Sequence, residues 1–198
     1  MKLSLIAALG LLATFPAAAQ DRPPAMPTRD VAVTYKVEDS PPTVDSVAWL
    51  AAEGRIRMEG RALTQRMVHL IDTRGGGVTV VSERDRNYHE LGRVAEVMTQ
   101  DHVLVRPNVK LAREGADTVA GVACTVWRIE APDAAPEDAR RACITADGVP
   151  LRLVEGTGSD ANTIYLATRV TYGPQDPARF RVPAGYAPLE VPGQPRRR

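Results

Sequence analysis

Two cysteines and three histidines have the widest chemical range of any residues in this 198-residue chain. Cys124 and Cys143 could supply a nucleophilic thiolate, metal ligands or a crosslink, and each role asks for different neighbours. A reactive thiol needs a base or a cation beside it to lower its pKa, and no histidine lies near either cysteine in sequence. A metal site needs more ligands than two, and there is no Cys-x-x-Cys or tight His/Cys cluster. His69, His89 and His102 are scattered, without the His-Glu-x-x-His spacing of a zinc hydrolase. His69 shares a strand face with Met67 and Ile71, the setting of a packed or surface imidazole. In "NYHEL", His89 and Glu90 are adjacent on a strand, so they point to opposite faces. "GTGSDAN" lacks the Gly-x-Ser-x-Gly elbow of a serine hydrolase. "RGGGV" has no Lys-Ser/Thr after it, so Gly75, Gly76 and Gly77 read as a hairpin turn rather than a phosphate loop. Asp117 and Asp147 occupy turns, where Asp serves the local backbone. The inventory offers no catalytic residue, no metal site and no cofactor, and the chain reads as a non-enzyme.

The crosslink remains, and the first residues favour it. "MKLSLIAALGLLATFPAAAQ" carries Lys2, an apolar run from Leu3 to Phe15 and then Ala17, Ala18 and Ala19. These are the parts of a secretory signal peptide, with cleavage expected after Ala19 and a periplasmic location. The run is too short for a helix across the roughly 30 Å hydrocarbon core. No cysteine lies near the cleavage site to take a lipid anchor, so a free, soluble product is expected. Exported cysteines tend to pair. "VAGVACTVWRIEA" and "RRACITADG" read as strands joined by the loop "PDAAPEDA", whose centre lies midway between Cys124 and Cys143. Folding there as a hairpin sets the two about opposite each other, within disulfide reach.

With Lys2 removed, 24 basic residues face 24 acidic ones. A neutral chain has no global field for nucleic acid, so no nucleic-acid partner is expected. The terminal "QPRRR" reads as a solvated tail, with at most transient contact with an anionic membrane surface.

The elements that would position these residues are mostly strands. After the proline-rich lead, Val31, Val33, Tyr35 and Val37 alternate with Thr34, Lys36 and Glu38. "VDSVAWLAAEG", "RIRMEG", "QRMVHLIDTR", "GVTVVSER" and "NYHELG" follow, separated by turn residues. "RVAEVMTQDHVLVRP" differs: Val94, Val97, Met98 and Val105 recur at helical spacing until Pro107, which predicts a helix. Then come "LAREGADTVAG", the cysteine hairpin, "CITADGVPLRLVEG" turning at Asp147-Gly148, "TIYLATRVTYG", "ARFRV" and "AGYAPLEV". The pattern predicts a mainly β (α+β) fold: one strongly curved antiparallel sheet, a half-barrel of about ten strands, with one or two helices on its concave face. The expected organisation is a leader over 1–19, a proline-rich lead over 20–29, one domain over 30–191 and a disordered basic tail over 192–198.

The order of these pieces resembles a known family. "WLAAEGRIRMEG", "MVHLIDTRGGGVTVVSERDRNYHEL", "GADTVAGVACTVWRIE", "CITADGVPLRL" and "ATRVTYGPQDPARFRVPAGY" together are similar to the LolA-like periplasmic proteins, in particular an uncharacterised secreted branch. The similarity runs from about Asp30 to Tyr186 and rests on Gly and Val patterns and strand order. It implies an open half-barrel with an apolar cavity, which in the carriers holds acyl chains. A LolA carrier begins with a helix, for which this lead leaves little room. No carrier-specific residue matches a position here.

The resulting expectation is a non-enzymatic, carrier-like periplasmic protein with a cavity for a lipid, a lipoprotein acyl chain or another hydrophobic ligand. The residues expected to face that cavity are Tyr35, Trp49, Ile56, Met58, Met98 and Trp127; for each, ordinary core packing is the competing explanation. The alternative is an RseB-like envelope-sensor module that binds a protein partner. A third class, an envelope hydrolase, would need a convergent polar cluster that the linear sequence does not display.

Overall fold

The alternation of the first strand is realised in space. In the computed structural model, β1 (Val31–Val37) buries Val31, Val33 and Tyr35 and exposes Thr34 and Lys36. The structure describes residues 22–37, 43–62, 65–132, 135 and 138–189. The expected leader over 1–19 and the basic tail over 192–198 lie outside them.

From β1 the chain runs through β2 (Thr43–Leu50), β3 (Arg55–Ala62), β4 (Gln65–Asp72), β5 (Gly77–Ser82) and β6 (Asn87–Arg93). These pair in sequence as an antiparallel meander. After a short helix α1 (Ala95–Met98), a second meander follows: β7 (Lys110–Val119), β8 (Val122–Glu130), β9 (Arg140–Ile144), β10 (Pro150–Glu155) and β11 (Asn162–Tyr172). β11 pairs antiparallel with β1 and joins the two meanders. The two-residue β12 (Ala187–Pro188) pairs parallel with β6. The result is a single curled sheet in the order β12-β6-β5-β4-β3-β2-β1-β11-β10-β9-β8-β7.

The mainly β, single-sheet expectation holds, with twelve strands rather than about ten. Two corrections concern local structure. The helix expected up to Pro107 stops after the four residues of α1. Val94, Val97, Thr99, Val103 and Val105 are β-branched and lose side-chain freedom in a helix, and the Thr99 hydroxyl donates to the Ala95 carbonyl at 2.7 Å. The apolar residues of this segment do not share one helical face either: Val97 is 67% exposed while Leu104 and Val105 are buried. Among the described residues "ARFRV" and "AGYAPLEV" do not form full strands: residues 177–180 make a 3₁₀ turn, and residues 187 and 188 alone of those described pair as a strand. The Asp176 carboxylate caps that turn by accepting from the Ala178 amide.

Both faces of the first meander are covered. Residues 94–109 cross the concave side, placing Ala95, Leu104 and Val105 in the main apolar cluster. On the other side Phe180 packs on Ala48 and Leu50, and Val182 and Tyr186 pack on Val68, Leu70 and Val81.

Cys124 and Cys143 form the expected disulfide, with Cα atoms 5.5 Å apart. They are not directly opposed: the register sets Cys143 against Val126, two residues along β8 from Cys124. The bridge is diagonal, across a sheet whose right-handed twist shortens one diagonal. It closes a nineteen-residue separation, for which chain entropy gives about 3 kcal/mol. Replacing both cysteines with Ala should lower the unfolding free energy by about that amount. Urea titration of the oxidised protein and the double variant checks this; equal midpoints would show the bridge to be energetically silent.

Candidate functional site

Five of the six residues expected to face a cavity, Tyr35, Trp49, Ile56, Met58 and Trp127, are buried in one apolar cluster, and Met98 packs against it from α1. The topology brings them together from both meanders. Trp49 stands between Val31 of β1 and Ile56 of β3, Met58 pairs with Val47, and Trp127 comes from β8. All six therefore share one interior, packed by the chain's own side chains.

Sequence reasoning picked Tyr35 for this interior but missed the two rings that pack with it, Tyr165 and His102. Tyr35 and Tyr165 meet edge to face with centroids 4.7 Å apart, and His102 stacks on Tyr165 at 4.9 Å. The Tyr35 hydroxyl donates to the Pro150 carbonyl and that of Tyr165 to the Asp101 carbonyl, both at 2.7 Å. Burial pushes both phenols up, so they stay protonated and act as structural donors. Tyr165 was legible in principle, since it alternates with Ala167 on the buried face of β11. The position of His102 was not, because it depends on how residues 94–109 cross the sheet.

That crossing segment is a strap. It is tied to the β4–β5 turn by the Ala95 amide, which donates to the Gly76 carbonyl at 3.1 Å. Arg140 of β9 holds Asp101 at 2.6 Å, and Arg106 donates to the Glu96 carbonyl at 2.7 Å. Arg22 of the lead donates to the Arg106 carbonyl. His102 lies fully inside, and both of its ring nitrogens lack a hydrogen-bond partner among the described residues. The same is true of the Trp49 and Trp127 indole nitrogens. Burial pulls the His102 pKa down to about 4, Asp101 opposing and Arg140 adding to the shift.

Beside the strap opens a cleft of about 730 Å³. The lead forms one wall with Ala25 and Met26, and the strap forms another with Ala95, Val103 and Pro107. Arg74 of the β4–β5 turn and Arg93 at the end of β6, with Arg106 and Glu96 of the strap, line the rest. The lead is fixed in place through Asp147. Burial alone would raise that carboxyl, but Thr145, Arg29 and Tyr172 donate to it and hold it below the usual range. Gly148 is required beside it: its φ is +91°, and a Cβ there would stand 2.8 Å from the Met26 carbonyl oxygen. A smaller depression of about 400 Å³ lies on the opposite face, between Phe180 and the β3–β6 strands.

The three histidines stay apart. His69 pairs with Met58 and Val80, with burial lowering its pKa, and His89 sits on β6 opposite Val80. Among the described residues no group of three or more His, Cys, Asp or Glu side chains is placed to hold a metal ion.

The burial of His102 has a consequence for pH. Its folded pKa lies below the unfolded value of 6.5, so the folded state resists protonation. The associated stability is present above pH 6.5 and is lost as pH falls from there towards 4. The loss should be on the order of 3 kcal/mol, with half-buried His69 adding a smaller effect of the same sign. Denaturant titrations at pH 7.5 and 4.5 on the wild type and His102→Leu check this. The variant should lose most of the difference; an identical slope in both proteins would remove His102 as its source.

No protein-family profile and no curated protein matches the chain. Among solved structures, an uncharacterized conserved protein from Thermus thermophilus is similar, with a TM-score of 0.52 and 13% identity over 82% of this chain and 90% of that one. MucB in complex with MucA(peri) has a TM-score of 0.45 and 14% identity over 84% of this chain. The Pseudomonas aeruginosa MucA/MucB complex has 0.45 and 13% over 81%. This chain spans 59% and 58% of those two chains. The Thermus likeness is one of fold, and no activity follows from it.

Proposed function

We propose that the protein is a non-enzymatic binding protein of the bacterial envelope, LolA-like in architecture, that takes a hydrophobic ligand in the cleft beside its strap. The observation that carries this reading is the cleft itself. Its volume of about 730 Å³ falls in the range of small-molecule sites. Met26, Ala95 and Val103 line it and also belong to the apolar interior or pack on it. An apolar wall open to solvent gains about 25 cal/mol for each Å² that a ligand covers. The disulfide supports an oxidising compartment, in agreement with the leader-like first residues. Tyr35, Trp49, Ile56, Met58 and Trp127 then form the packed backing of the site. A ligand reaching them directly would have to displace the strap. Met98, on the strap and only partly buried, packs on the same backing.

A second reading, a protein-interaction module, has one observation of its own. β7 is a ten-residue strand at the end of the sheet, paired among the described residues with β8 alone, and an extended segment of a partner could add to that edge. Against it, Lys110, Arg113 and Glu114 charge the strand and its register shifts between Arg113 and Gly115. Both features discourage edge pairing.

Native mass spectrometry of protein purified from an exporting host should find a bound hydrophobic molecule that organic extraction releases. Val103→Trp, which fills the cleft from the strap, should abolish its capture while the melting temperature stays within a few degrees. An empty wild type that instead retains a stoichiometric protein partner would replace the ligand reading with the interaction module.

A further inference from the structure

We infer that the cleft selects amphiphiles with an anionic head, of the long-chain carboxylate class, the head meeting Arg93 and its neighbours and the chain lying along Met26, Ala95 and Val103. The inference rests on the binding-protein reading and adds the ligand's charge.

Among the described residues, three arginines and one glutamate are the charged residues that line the cleft, although the whole chain carries only one net positive charge. Two of the three guanidiniums already have partners. Arg74 donates to the Ala52 carbonyl at 2.6 Å. Arg106 is shared between the Val103 carbonyl and Glu96. Arg93 makes no ion pair or side-chain hydrogen bond among the described residues. It lies against the β4–β5 turn, where a Cβ built on Gly76 would be 3.7 Å from its Nε. Its planar fork lines the same cleft as Arg74 with its donors unspent, an arrangement suited to a bidentate carboxylate. Glu96 opposes this weakly, because its side chain is 82% exposed and it is already paired with Arg106 at 3.2 Å.

The apolar side is equally specific. Met26 and Val103 pack on the main core from the lead and the strap, and Ala95 is buried within it. A small hydrophilic anion would leave these surfaces wet, whereas an alkyl chain would cover them along its length. The positive mouth and apolar wall are complementary to one molecule with a charged end and a hydrocarbon body.

The test uses 11-(dansylamino)undecanoic acid and its methyl ester, which share tail and fluorophore and differ in the charged head. The full protein should bind the acid about tenfold more tightly than the ester, the scale of one charge-assisted hydrogen-bond pair. Raising the salt should weaken the acid and leave the ester unchanged. Arg93→Gln should bring the acid down to the affinity of the ester, with an unchanged melting temperature because Arg93 is exposed. Glu96→Gln should tighten the acid alone. Equal binding of acid and ester, unaltered in Arg93→Gln, would overturn the inference and leave the binding protein standing. Displacement of the acid by millimolar inorganic phosphate would also overturn it, by making the mouth a small-anion site. If neither probe binds, the inference falls together with the reading beneath it.

Discussion

The fold depends on one connection. β6 and β7 follow each other in the chain with only residues 94–109 between them, yet they are ten positions apart in the sheet. At about 4.8 Å per strand the path around the sheet is about 48 Å. Twelve extended residues and four helical ones reach about 47 Å when stretched to the limit. This segment is not stretched, because the His102 and Val103 amides both turn back to the Thr99 carbonyl. It cannot follow the arc and must take the chord, so the sheet has to curl and the chord has to cross its concave side. The same constraint curves the sheet and lines its interior.

This explains which parts of the structure could be read from the sequence. β1 was legible because each of its faces has one environment, and Val31, Val33 and Tyr35 alternate with polar residues. β4 and β5 were legible as strands but not as to face, because both faces are covered. Val68, Leu70 and Val81 meet the C-terminal segment while Ile71 and Val78 face the main core. The disulfide was legible from the leader-like first residues and the loop between its strands. Its diagonal register was not, because twist is a property of the assembled sheet. The strap reads as a longer helix than it is because valines can recur at helical spacing without sharing a face. Val97 and Val105 fit the period, and one is exposed while the other is buried.

The six residues expected to face a ligand cavity share one packed apolar cluster, since large apolar residues on the buried faces of successive strands converge in a curled sheet. What they converge on is a strap, and the open space lies beside it. Arg74, Arg93 and Arg106 carried no signal in the sequence. Each is an ordinary charged residue in a turn, at a strand end or in a connection, and only the crossing of the sheet sets them around one mouth. The linear chain shows which residues avoid water but not which loops become neighbours.

The energetics of the strap bear on why the proposed ligand is placed beside it rather than beneath it. Leu104 and Val105 are buried, each contributing about 1.5–3 kcal/mol, and His102 stacks on Tyr165. Opposing them, a buried polar group without a hydrogen bond costs about 1–3 kcal/mol, and His102 buries two such nitrogens. The Asp101–Arg140 pair is partly exposed and adds at most about 1 kcal/mol. These contributions are of similar size and opposite sign, and their balance depends on a neutral imidazole. At neutral pH a ligand entering beneath the strap would have to replace the contacts of Leu104, Val105 and His102 at once. A ligand in the cleft would cover Met26, Ala95 and Val103 without displacing those contacts, which is why the proposed site lies beside the strap.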